Sequence, residues 1–147
     1  MGIQIKLSSD FAKKLKKAGD RMDKVAEKAL NAGADILEGK VRSNLSKVVG
    51  KDTKKESQST GQLLNALGKT PVRMAPKADG WDIKVGFSEP RKDGTPNALV
   101  ANVLEYGKKG QSPKPFIKPA LNSTRTKVRK KMSQVIDSEI ERIMGGK

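Results

Sequence analysis

The chain has 147 residues, enough for one domain that buries roughly two thirds of the surface its unfolded form exposes. Lys and Arg number 31 against 16 Asp and Glu, and the resulting net charge of +15 opposes compactness while attracting acidic partners, either nucleic acid or an acidic protein surface. With no cysteine and no histidine, disulfides, thiol chemistry, the usual zinc ligands and two of the commonest catalytic groups are excluded, and 3% aromatic residues leave little for base stacking.

At the start, Ile3, Ile5 and Leu7 alternate with Gln4 and Lys6, the period of a short strand. The opening MGIQIKLSSD lacks the apolar run of a signal peptide, and no segment approaches the ~20 apolar residues of a membrane span, so cytoplasmic synthesis without membrane contact is expected. Ser8, Ser9 and Asp10 offer N-caps. From Phe11 to about Leu45, apolar residues at Phe11, Leu15, Ala18, Met22, Val25, Ala29, Ala32 and Ile36 step by threes and fours, and Leu37, Val41 and Leu45 continue on a drifted stripe. This predicts one long helix lying on a sheet; small Ala residues and Gly33 at seam positions argue against a coiled coil.

Residues 50–61, GKDTKKESQSTG, hold no apolar side chain, so a mobile basic loop is expected over about 48–60. Thr60 is placed to cap a short helix over Gln62 to Leu67. Thr70 to Ala75 and Trp81 to Phe87 then read as strands around a turn at Lys77 to Gly80. In the second of these, Trp81, Ile83, Val85 and Phe87 alternate with Asp82, Lys84 and Gly86, which turns one apolar face toward the helices. A further loop covers 88–96, where Thr95 and Pro96 make a cap and first-turn pair.

Leu99, Val100, Val103 and Leu104 mark the next helix, expected to be buried along one side. Glu105 and Tyr106 follow them directly, a costly placement for a carboxylate and a phenol unless both find partners. Gly107 stops that helix, a mobile basic loop is expected over about 107–115, and Pro115, Phe116, Ile117 and Pro119 launch the last helix. Leu121, Val128, Met132, Val135, Ile136, Ile140 and Ile143 hold its face for roughly seven turns. The order β, long α, short α, β, β, α, long α predicts a single α+β domain over 1–147: a small, mainly antiparallel sheet packed against a long N-terminal and a long C-terminal helix.

Chemistry-bearing motifs are scarce. Neither GxGxxG nor GxxxxGK[ST] occurs, and the acids, such as Asp20, Asp23 and Glu27, sit among lysines where surface ion pairing is expected. No enzymatic activity, cofactor or metal is expected. Lys13, Lys17, Arg21 and Lys24 line the first helix and Arg125, Arg129 and Lys130 the last. These read as solvated faces, the excess of Lys over Arg speaking against base readout, or as a surface for non-specific DNA contact, which makes a small basic nucleic-acid-binding protein the alternative function.

The most specific stretch is Glu105-Tyr106-Gly107, a short polar loop, and then Pro115, Phe116, Pro119 and Ala120. This pattern resembles the neck and tail-completion proteins of long-tailed bacteriophages, and the likeness extends loosely over the whole chain through its size and element order. The resemblance implies a non-enzymatic structural subunit of the virion, assembled in the host bacterial cytoplasm and stationed at the neck or tail end. It implies a homo-oligomeric ring, sixfold or twelvefold, as a head-tail connector or tail terminator between the head connector proteins and the tail tube protein, with transient contact to genomic DNA. Glu105, Tyr106, Gly107, Pro115, Phe116 and Pro119 are then the expected subunit and partner contacts; the alternatives within the chain are Glu105 as a local cap or partner of Lys108 or Lys109, Tyr106 closing the core, and Phe116 with Ile117 as a hydrophobic staple for the last helix.

Overall fold

A computed structural model of the chain describes residues 2–7, 9–48, 62–75, 80–88 and 96–145. The expected loop over about 48–60, the Thr60 cap, the turn near 77–79 and Thr95 lie wholly or largely outside these residues. The elements are β1 (Gly2–Lys6), α1 (Ser9–Leu15), a 3-10 segment (Lys16–Arg21), α2 (Met22–Val48), α3 (Gln62–Ala66), β2 (Leu67–Lys69), β3 (Arg73–Ala75), β4 (Gly80–Phe87), α4 (Asn97–Tyr106) and α5 (Ile117–Gly145). The α+β class is as expected: a small antiparallel sheet against long helices near both ends of the chain.

The single first helix is not. Gly19 adopts φ 56° and ψ −123°, a backbone conformation that L side chains rarely take, and the chain breaks there into α1, the 3-10 segment and α2. The apolar spacing runs through the break, since Leu15, Ala18 and Val25 are all buried on either side of it.

β4 is the centre of the sheet, flanked by β1 on one edge and by β2 and β3 on the other, every pairing antiparallel. Lys69 faces Val85 and Arg73 faces Asp82, so residues 70–72 stand opposite only Ile83 and Lys84. One extra residue is therefore accommodated as a bulge around Pro71, which has no N–H to give the ladder. The Thr70 amide still donates to the Lys84 carbonyl at 2.9 Å, and the Lys84 amide donates to the Thr70 hydroxyl at 3.0 Å. The expected Thr70–Ala75 strand thus begins earlier, at Leu67, and is interrupted in its middle.

Trp81, Ile83 and Val85 are buried on the helix side of β4, as the alternation predicts. They pack on α2, whose buried positions Val25, Ala29, Leu30, Leu37, Val41 and Leu45 serve both the sheet and α5. α5 runs antiparallel to α2: Lys28 meets Glu139 near one end and the Asn44 amide donates to the Phe116 carbonyl at the other. Small side chains let the two approach. A Cβ on Gly33 would lie 3.0 Å from Met132 Cγ and 3.1 Å from Val128 Cγ1. Salt bridges Lys14–Asp137 (3.2 Å) and Lys28–Glu139 (3.1 Å) stitch α1 and α2 to α5 along the solvent side. Asp23, expected to pair with a surface lysine, instead accepts the Trp81 indole N–H at 2.7 Å.

Candidate functional site

α4 buries Asn97, Ala101 and Glu105 along one stripe at four-residue steps. The Asn97 amide donates to the Ser88 carbonyl at 2.6 Å, fixing the start of the helix to the end of β4. Glu105 is 4% exposed and sits against the N-terminus of α5. Its Oε2 accepts the amides of Phe116 (2.7 Å) and Ile117 (2.9 Å), and its Oε1 accepts that of Lys118 (2.9 Å).

One carboxylate therefore takes the main-chain donors that the first turn of α5 cannot satisfy internally, and its charge faces the positive end of that helix. Pro119 has no N–H and needs no partner, so the residues that open α5 are matched to what a single distant carboxylate can accept. The spacing of Glu105 and Phe116 is thus an intrachain clasp. Of the two readings open to Glu105, a partner contact or a cap within its own chain, the geometry matches the second: it is buried with three amides donating to it.

Phe116 is fully buried and meets Phe87 edge to face, ring centroids 6.2 Å apart. The clasp consequently joins α4, α5, β4 and, through Asn44, α2.

Between the two helices the chain does not wander. Gly107 takes φ 78° and its amide donates to the Val103 carbonyl at 2.7 Å. Lys108 and Gln111 exchange main-chain hydrogen bonds of 3.0 and 2.9 Å around Gly110, and the Lys114 amide donates to the Leu104 carbonyl at 2.7 Å. A Cβ on Gly107 would come within 2.8 Å of the Gln111 carbonyl oxygen, so both dihedral and space demand glycine. The segment expected to be mobile over 107–115 is a closed turn tied back to the helix before it.

The outer side of α4 is different. Leu99, expected to be buried, is 53% exposed, and Tyr106, one heptad along and so on the same stripe, is 69% exposed. Pro115 and Pro119 are also exposed. Of the six expected contact residues, Glu105 and Phe116 are occupied within the chain, Gly107 shapes the turn, and Tyr106, Pro115 and Pro119 face solvent. Leu99 joins them; its place on the outer stripe followed from its spacing to Tyr106.

The basic residues Lys13, Lys17, Arg21, Lys24, Arg125, Arg129 and Lys130 are all exposed, spread over α1, the 3-10 segment, α2 and α5. On the outer sheet face, Asp82 is 1% exposed and accepts from Arg73 Nε (3.0 Å) and Gln4 Nε2 (3.0 Å). The hydrogen bond and charge of Arg73 hold its carboxyl below the usual range against the opposing effect of burial, with Gln4 and Lys84 adding to the shift. Glu139 is lowered likewise, first by Arg142 and then by Lys28. Among the described residues no group of three or more acids could hold a metal ion, and no helix is long and apolar enough to cross a membrane.

The chain is an α+β fold whose buried carboxylates are bonded within it, and among its described residues the large exposed apolar side chains are Leu99 and Tyr106 on one stripe of α4 and Met144 near the end of α5. Residues 9–107 match the model of the HK97-gp10-like family, described as "Bacteriophage HK97-gp10, putative tail-component", and the chain belongs to that family. The match ends at Gly107, so it contains Glu105 and Tyr106 but not the Phe116 and Pro119 half of the clasp. No curated protein and no solved structure matches the chain.

Proposed function

We propose that this chain is a neck or tail-completion subunit of a tailed phage, forming a ring between the head connector and the tail tube. Membership of a tail-component family supports the virion setting. The observation that carries the finer reading is the exposed Leu99 and Tyr106 stripe on a helix whose two ends are fixed, by Asn97 to Ser88 and by Glu105 to α5. A rigid, half-apolar stripe suits a contact that must recur identically around a ring, because little ordering entropy is lost on docking.

In this reading the adjacent subunit covers Leu99, Tyr106 and the 108–115 turn, and the exposed lysines and arginines meet acidic neighbours in the tail. Light scattering coupled to gel filtration of the purified protein, repeated after nuclease treatment, tests it. A discrete multiple of the 15.9 kDa chain that survives nuclease supports the ring. A mass that falls to the monomer on nuclease treatment would mean that nucleic acid, not subunit contact, holds the assembly.

A further inference from the structure

β1 pairs with β4 along one edge only, and among the described residues no strand pairs with the other. The Leu7 amide donates to the Trp81 carbonyl, which fixes the phase of the ladder: Ile3 and Ile5 bond to β4, and the N–H and C=O groups of Gln4 and Lys6 point away from it. Those outward groups open onto a groove of about 280 Å3 between β1 and α5. Its floor is apolar, from Leu37, Leu121, Val128 and Met132, and Lys6, Arg125 and Arg129 border it. All three cations are exposed and none forms a salt bridge among the described residues.

We infer that this edge is an acceptor for an extended acidic segment of another protein, which adds to the sheet beside β1. The main chain of such a segment satisfies the free donors and acceptors of Gln4 and Lys6. Side chains on the helix-facing side of the segment reach the apolar floor, and acidic ones meet Lys6 on the outer face and the long side chains of Arg125 and Arg129 at the rim. A second copy of this chain is a poor occupant. Pairing the same edge with itself sets like charges together, and every acid among the described residues lies on a helix except Asp82, which is buried.

The test uses the full-length protein and a short blocked peptide alternating Val with Glu, with its Val and Lys counterpart as control. Amide exchange of Gln4 and Lys6 is followed during titration. The Glu peptide is expected to slow both amides by about tenfold or more and the Lys peptide to leave them unchanged. Arg125→Glu combined with Arg129→Glu is expected to weaken the Glu peptide by about tenfold or more. Lys6→Pro removes one outward N–H without touching a bond to β4, and should abolish the protection at Gln4. Failure of the Glu peptide to bind, binding that leaves Gln4 and Lys6 exchanging as before, or equal binding of the Lys peptide overturns the inference. Protection that grows with protein concentration without peptide also overturns it, in favour of a second copy.

Discussion

A carboxylate that accepts three amides of another element cannot be removed without stranding them. Glu105→Ala is therefore expected to cost roughly 3 to 5 kcal/mol, comparable to Phe116→Ala, which removes a fully buried ring for a similar loss. Tyr106→Ala, one residue along but exposed, should leave the subunit's melting temperature within a degree or two, as surface changes of under about 0.5 kcal/mol do. Thermal melting of the three variants checks this, and a Glu105→Ala protein as stable as wild type would show that the clasp contributes nothing. Asp82 gives a pH test. Its carboxyl is held below the usual aspartate range, so its stabilisation is complete above that range and is lost as pH falls through the lower folded value. Asp82→Asn should melt below wild type at neutral pH, with the gap closing in acid; a gap that stays constant down to about pH 2 would mean that the ion pair with Arg73 adds no stability.

At the level of elements, Gly107 decides whether α4 can turn back toward α5. Gly107→Ala forces a positive φ and a Cβ onto the Gln111 carbonyl, and should cost about 2 kcal/mol or more, seen in denaturant unfolding. Gly33→Leu tests the α2–α5 seam: it overfills a contact already at 3.0 Å to Met132 and should cost about 1 to 3 kcal/mol despite the better helix propensity. Where local rules govern, sequence reads these elements well. The alternation of Trp81, Ile83, Val85 and Phe87 and the apolar spacing from Leu121 to Ile143 both correspond to real elements. Periodicity could not see the break at Gly19, because the stripe of Leu15, Ala18 and Val25 stays buried across it. The clasp was half legible. No Ser, Thr, Asp or Asn stands at Pro115 or Phe116 to cap α5, so its first amides needed an acceptor from elsewhere, yet nothing in spacing alone assigns that role to Glu105.

For the whole molecule, charge and apolar exposure divide the labour. The excess of cations over acids lies largely on exposed helix faces and disfavours self-association unless an apolar contact offsets the repulsion. In the proposed ring the Leu99 and Tyr106 stripe supplies that contact. Assembly should accordingly strengthen as salt rises and the repulsion is screened. The most direct test of the account is one pair of readings on Leu99→Ser combined with Tyr106→Ser: assembled mass by light scattering and melting temperature of the subunit. The expected result is a monomer whose melting temperature, measured against dissociated wild type, is unchanged within a few degrees. A variant that still assembles at the wild-type mass, or one that melts as early as Glu105→Ala, would contradict it.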